Sequence, residues 1–86
     1  MWIRVLLEVP DDLRGFVEVK SRELEPNTRY HTIVTEVYCK ECGELLGEEH
    51  YYFRQADFES RIKRCEHFKW IERPERDYVL ILTRRT

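Results

Sequence analysis

The chain has 86 residues, enough for one small domain but too few to bury a core that is stable by a wide margin. Its formal net charge of −2 excludes a uniformly basic nucleic-acid-binding surface, and its longest uniformly apolar run, residues 79–82, is far too short to cross a bilayer. Charged residues make up 37 % of the chain beside one Asn, one Gln and one Met, a composition that resembles proteins of thermophiles.

Three strands are predicted in the N-terminal half. Residues 2–9 alternate between apolar and polar side chains, which is the period of a half-buried strand, and Pro10 then opens a turn. Residues 16–20 are a second, short strand candidate. Residues 29–38 are rich in β-branched and aromatic side chains and predict a third strand, which leads directly into Cys39.

The C-terminal half predicts one helix between two strands. Residues 50–54 are a short strand candidate. The helix is predicted over residues 57–65, because Asp57 suits a helix N-terminus and two acid–base pairs with a spacing of four residues support it. Residues 78–83 are apolar at odd and even positions and predict a closing strand covered on both faces. The predicted fold class is α+β, with a small antiparallel β-sheet and one short helix in a single domain over residues 1–86.

Three cysteines and one histidine form two close pairs, Cys39-Lys-Glu-Cys42 and Cys65-Glu-His67, with 22 residues between the pairs. Three thiolates and one imidazole are the full ligand set of a closed tetrahedral zinc site. A disulfide framework would leave one of the three cysteines unpaired. We therefore predict one structural zinc ion, held by these four residues in a protein of the reducing cytoplasm.

The ligand set constrains the predicted helix and leaves one alternative open. Residues two apart on a helix point to nearly opposite sides, so the helix has to end at about Cys65 if Cys65 and His67 are to reach one ion. His50 is an alternative fourth ligand. We prefer His67 because it closes a short chelate with Cys65 at a smaller entropic cost.

The segment Cys39-Lys-Glu-Cys42-Gly43 resembles the zinc knuckle of the zinc-ribbon and treble-clef superfamilies. The resemblance covers this pentapeptide and, loosely, the second ligand pair. It implies a small zinc-stabilised fold in which backbone N–H groups face the sulfur atoms. A zinc ribbon usually repeats Cys-x-x-Cys at its second knuckle, whereas this chain has Cys65-x-His67, and a treble clef places that pair at the start of a helix rather than after one. The resemblance therefore identifies no specific family.

The sequence contains no catalytic motif that we identify. Four protein ligands leave no open position on a zinc ion for a reacting water molecule. A Gly-rich phosphate loop, a nucleophile motif and the His-x-Glu of zinc deaminases are all missing from the sequence. We therefore expect a non-catalytic domain with no small-molecule substrate and no membrane association.

A protein partner is the first functional prediction, with the domain acting as an adaptor, a subunit or an inhibitor of a larger machine. Aromatic residues make up 13 % of the chain, which exceeds what so small a core readily hides, and Tyr, Trp and Arg often anchor interfaces. Residues 1–53 carry 6 basic and 11 acidic side chains, a balance that suits a basic partner surface.

The alternative is a nucleic-acid-binding module in transcription or translation. Residues 54–86 carry 9 basic and 6 acidic side chains. Phe68 and Trp70 lie among them and could stack on bases, or they could belong to the core. If the basic side chains share a face without carboxylates, a nucleic acid is favoured; if carboxylates neutralise them and aromatic residues form an exposed patch, a protein is favoured. The candidate contact residues for either partner are Arg61, Arg64, Lys69, Trp70 and Arg73.

Overall fold

The computed structural model describes residues 2–85. Over these residues the chain forms seven strands and one 3-10 helix. In chain order they are β1 (Leu6–Glu8), the 3-10 helix (Asp11–Phe16), β2 (Val17–Leu24), β3 (Thr32–Cys39), β4 (Leu45–Tyr52), β5 (Asp57–Ile62), β6 (Phe68–Glu72) and β7 (Val79–Arg84).

The strands form two sheets. One sheet has four antiparallel strands in the order β2-β3-β4-β5. The other has three strands in the order β1-β7-β6, with β1 parallel and β6 antiparallel to the central β7. Before β1, Ile3 pairs with Ser60 of β5 through two backbone hydrogen bonds of 2.7 Å, so the N-terminal segment bridges from one sheet to the other.

The predicted α+β class is wrong, because the structure is mostly β and the described residues contain no α-helix. Residues 57–62 of the predicted helix instead form β5, which pairs with β4 along its whole length. Side chains in this segment also alternate, with Phe58, Ser60 and Ile62 at even positions and charged residues between them. Each acid–base pair at a spacing of four contributes only about 0.2–0.5 kcal/mol to a helix. The ladder of backbone hydrogen bonds to β4, together with the hydrogen bond that the buried Ser60 hydroxyl donates to the Val5 carbonyl at 2.8 Å, outweighs that contribution.

The prediction of a single antiparallel sheet is also wrong. Residues 68–72 form β6, a strand that the sequence analysis did not identify, and β6 pairs with β7 to start a second sheet. The parallel pairing of β1 with β7 completes that sheet, since the first and last strands of the chain lie side by side.

The hydrophobic core draws residues from both sheets and from the 3-10 helix. Its buried members are Leu13, Val17, Val37, Cys39, Leu46, Phe68 and Leu82. The Cys39 side chain is thus part of the core, with 1 % of its surface exposed, so the start of the β3–β4 turn is anchored by packing.

Trp70 connects the two sheets at Gly47. The pairing of β3 with β4 shifts register at Val37, which leaves Leu46 without an opposite residue, and the indole N–H of Trp70 donates to the Leu46 carbonyl at 2.8 Å. A Cβ atom added at Gly47 would lie 2.8 Å from a Leu7 methyl carbon and 3.0 Å from the Trp70 ring. Glycine at this position therefore lets β4 approach the other sheet without moving Leu7 or the Trp70 ring.

Candidate metal centre

The four predicted ligands come together at one end of the four-stranded sheet. One ligand atom from each of Cys39, Cys42, Cys65 and His67 lies within 4.8 Å of the other three. Nδ1 of His67 is 3.7 Å from Sγ of Cys39 and 3.9 Å from Sγ of Cys65. With bonds of about 2.3 Å to sulfur and 2.1 Å to nitrogen, a tetrahedral zinc site has S···N separations of about 3.6 Å. The group is therefore compact enough to hold one metal ion.

The first ligand pair is shaped by the turn between β3 and β4. Gly43 has a φ of 73°, in the left-handed region that favours glycine. Its N–H donates to the Cys39 carbonyl at 2.8 Å, and the Cys39 N–H donates to the Glu44 carbonyl at 2.9 Å. The Lys40 N–H donates to the Phe16 carbonyl at 3.2 Å, which ties the turn to the 3-10 helix. These bonds hold Cys39 and Cys42 on the same side of a closed turn.

The second ligand pair lies in the segment that joins β5 to β6. The Cys65 N–H donates to the carbonyl of the buried Phe68 at 3.3 Å, and the His67 N–H donates to Sγ of Cys65 at 3.3 Å. The Arg85 N–H donates to the His67 carbonyl at 2.9 Å. The chain bends at residues 66–67, as the chelate requires, but this bend follows a strand and not the predicted helix.

The three thiols perturb one another. Burial raises the pKa of Cys39, but hydrogen bonds from the backbone of Cys42 and Glu41 and from the thiols of Cys42 and Cys65 outweigh burial and lower it. The Glu44 backbone lowers the pKa of Cys42, but burial and the thiols of Cys39 and Cys65 raise it to about 11. Neighbouring thiolates repel, so a cation among them is what allows all three to ionise together.

Glu41 is a supporting residue that the sequence analysis did not identify. Its Oε2 lies 3.2 Å from Nε2 of His67, the ring nitrogen on the opposite side from Nδ1. A carboxylate at the far nitrogen is a frequent partner of a metal-binding histidine, because it orients the ring and raises its basicity. Glu66 lies farther away, with its Oε1 4.0 Å from the same nitrogen. Glu41 lies between Cys39 and Cys42 in the sequence, and an acidic residue at that position is the signal that could have predicted its contact with His67.

The alternative ligand His50 lies elsewhere, on β4. Its Nε2 is 2.6 Å from Oε1 of Glu48, whose other oxygen accepts from Arg61 at 2.9 and 3.0 Å. Burial raises the pKa of Glu48, but these hydrogen bonds to His50 and Arg61 outweigh it and lower the pKa. His50 is not among the four clustered groups, and the edge of its ring packs against Trp2.

The five candidate contact residues do not share one environment. Arg61 is paired with Glu48, and Arg73 lies 2.9 Å from Glu8 and 3.0 Å from Glu75. Trp70 is half-buried and packs against the core. Lys69 and Arg64 are exposed, and neither forms an ion pair within residues 2–85. Arg64 lines an open cleft beside the four clustered ligands, together with Arg85 and Glu44.

Over residues 2–85, the structure contains no helix whose length and apolar character would let it span a bilayer. Comparisons of the chain with protein-family models, with curated proteins and with solved structures give no match in any of the three. The likeness to zinc knuckles therefore depends on the ligand pattern and its geometry alone.

Proposed function

We propose that this chain is a non-catalytic binding module built around one structural zinc ion, and that it acts as a protein-interaction adaptor, subunit or inhibitor of a larger machine. Zinc is the ion we propose because three thiolates and one imidazole suit its tetrahedral preference, whereas iron sites of this shape use four thiolates. All three cysteines are free, a state that a reducing cytoplasm maintains.

The observation that carries the proposal is an exposed apolar patch on the four-stranded sheet. We define the aromatic patch as Ile33, Tyr51, Phe53 and Phe58: Tyr51 lies opposite Ile33 on one side and Phe58 on the other, and its ring meets the Phe53 ring edge-on at 5.1 Å. Tyr51 and Phe53 are 36 % and 44 % exposed. Apolar groups grouped in this way on a sheet face favour a protein surface as their partner.

Charge indicates the chemistry of that partner. The strands that carry most of the patch belong to the acidic part of the chain, residues 1–53, with 6 basic and 11 acidic side chains. Glu23 lies opposite Ile33 on β2. Asp57 begins β5 beside Phe58 and pairs with Arg4 at 2.6 Å, so the acidic rim is on the β2 side of the patch. We therefore propose a partner whose contact surface is apolar at its centre and basic at its rim.

A purification from the native source tests this function. Wild-type protein should co-purify with a stoichiometric partner, and the double variant Tyr51→Ser/Phe53→Ser should lose it. The matched control is Tyr78→Ser, since Tyr78 is 72 % exposed and lies outside the patch. All three proteins should remain folded at the assay temperature, which thermal denaturation checks, because none of the substituted rings belongs to the buried core. A wild-type protein that migrates alone, or a partner retained by the double variant, would contradict the proposal.

The nucleic-acid alternative has narrower support. Two of its candidate contacts, Arg61 and Arg73, are neutralised by carboxylates. The cleft with Arg64 and Arg85 has two guanidinium groups without ion pairs within the described residues, but Glu44 and Glu66 line it as well. Binding to single-stranded DNA or RNA that weakens steeply with salt, and weakens again in Arg64→Gln, would replace the protein proposal by this one.

A further inference from the structure

We propose that a cavity at the end of the four-stranded sheet remote from the metal cluster binds a small organic anion, namely a phosphate or carboxylate group on a flat unsaturated ring. The cavity lies where β3 begins, at Thr32, and β3 ends at Cys39. At about 3.3 Å per residue, roughly 23 Å of strand separates the two sites. The inference is independent of the metal and shares only Phe53 with the aromatic patch, through the stacking of that ring on His31. It concerns a bound ligand, not a reaction.

The size of the cavity fits such a ligand. Its volume is about 660 Å³, within the range of about 300–1,000 Å³ typical of small-molecule sites. Residues from the β2–β3 turn, from β4 and from the β4–β5 turn surround it. The cavity is therefore a half-open cleft between these segments and not a flat surface.

Two arginines give the cavity its charge preference. Arg29 and Arg54 both line it, and neither guanidinium forms an ion pair with a carboxylate within residues 2–85. Glu25 is the single carboxylate in the lining, and its Oε2 lies 3.5 Å from the Thr28 hydroxyl. A pair of free guanidinium groups at a concave site favours a phosphate or a carboxylate, which each fork can bind through two hydrogen bonds.

His31 has a ring nitrogen that lacks a partner. Its Nε2 is shielded from solvent and is the one buried side-chain nitrogen or oxygen in residues 2–85 without a hydrogen bond. Oε2 of Glu23 lies 3.4 Å away, but the contact lacks hydrogen-bond geometry. The Phe53 ring stacks on the imidazole with a centroid distance of 4.2 Å, which fixes its plane. Because this nitrogen is shielded even from a water-sized molecule, His31 contributes its stacked ring to the lining and not a polar contact to the ligand.

Two tyrosine rings favour a flat unsaturated body. Tyr30 and Tyr52 line the cavity, and the Arg29 guanidinium lies 5.5 Å from the centre of the Tyr30 ring. The Tyr52 hydroxyl donates to Glu59 at 2.6 Å, which holds its ring in place. This hydrogen bond, together with burial, raises the pKa of Tyr52 to about 12, so the ring stays neutral beside an anion. A flat ligand ring can stack on such side chains while its oxyanion meets the arginines.

A titration followed by NMR of the ¹⁵N-labelled, metal-loaded protein tests the inference with three probes: adenosine monophosphate, benzoate and inorganic phosphate. The amide signals of Thr32 and Tyr52 should shift and saturate with at least one of the two organic probes. Saturation by adenosine monophosphate alone assigns the oxyanion as a phosphate, and saturation by benzoate alone assigns it as a carboxylate.

Matched variants decide whether the arginines carry the binding. Arg29→Gln and Arg54→Gln should each weaken the organic probe by about tenfold, because each loses a charge-assisted hydrogen bond. Lys69→Gln removes the same charge from β6, outside the cavity, and should bind like wild type. Absence of saturation with both organic probes at millimolar concentration, inorganic phosphate binding as tightly as the better organic probe, or unchanged binding in both arginine variants would each overturn the inference.

Discussion

Replacing His67 by Gln removes one of the four clustered ligands and should abolish most of the stability of the domain. A structural zinc site of this kind contributes about 10–16 kcal/mol at neutral pH. A domain of 86 residues has a net stability of roughly 4–13 kcal/mol. Losing even a third of the metal contribution, about 3–5 kcal/mol, would leave His67→Gln mostly unfolded or lower its melting temperature by about 12 °C or more.

His50→Gln is the matched control, because it makes the same change at the alternative ligand. His50 bonds to Glu48, which Arg61 also holds, so this variant should lose no more than about 1–3 kcal/mol. Of the two variants, only His50→Gln should have a stability that depends on the zinc concentration. In wild type and in His50→Gln, the free energy of unfolding should rise by about 1.4 kcal/mol for each tenfold increase in free zinc above the dissociation constant.

Thermal and urea denaturation in zinc-buffered solutions, followed by circular dichroism, measure both effects. A His67→Gln protein that keeps its melting temperature and its zinc dependence, while His50→Gln loses them, would show that His50 is the ligand. Retention of both properties by both variants would show that neither histidine binds the ion, and would refute the reasoning.

Three further predictions concern packing, the support of His67 and pH. Gly47→Ala should lower stability by about 1–3 kcal/mol in urea denaturation, because its Cβ would meet Leu7 and Trp70 of the opposite sheet. Gly15→Ala, with open space around it, should change stability by less than about 1 kcal/mol, and equal effects would contradict the packing. Glu41→Gln should weaken zinc binding by about tenfold in competition with a chromophoric chelator, and the more distant Glu66→Gln should weaken it less. Burial raises the pKa of Glu49 above its unfolded value despite a backbone hydrogen bond from Leu7, so protonation favours the folded state. Wild type should therefore lose stability relative to Glu49→Gln as pH rises above about 4.3, the unfolded pKa of Glu. A difference that is constant or grows in favour of wild type would contradict that sign.

The ligand cluster was predictable because chelation depends on short spacing. Two residues three apart in a Gly-containing turn, or two apart in a bend, have few ways to hold their side chains together. The distance between the two pairs is a property of the whole fold, yet the need for four ligands was enough to predict their meeting. Strand β3 was similarly clear, since β-branched and aromatic residues run through it up to Cys39.

The arrangement around that cluster was less predictable. Residues 57–62 fit a helix by their charge spacing and a strand by their alternation, and only the pairing with β4 decides between the two. Residues 68–70 alternate as well, but Ile71 breaks the alternation, and Lys69 beside Trp70 suits a contact surface as well as a strand. Trp70 is the clearest example, because its ring packs on the core while its N–H donates to the Leu46 carbonyl, which also accepts from the Lys63 N–H at 2.8 Å. The register shift that leaves Leu46 without an opposite residue on β3 has no sign in the local sequence.

The central claim is that one ion joins the β3–β4 turn to the β5–β6 segment and that the fold depends on it. Native mass spectrometry of the purified protein, before and after treatment with a strong chelator, with circular dichroism of the same samples, measures this most directly. We predict one zinc ion per chain, lost on chelation together with the β-sheet signal and restored when zinc is added back. A protein that carries no metal, or that keeps its sheet signal and melting temperature without it, would contradict the claim.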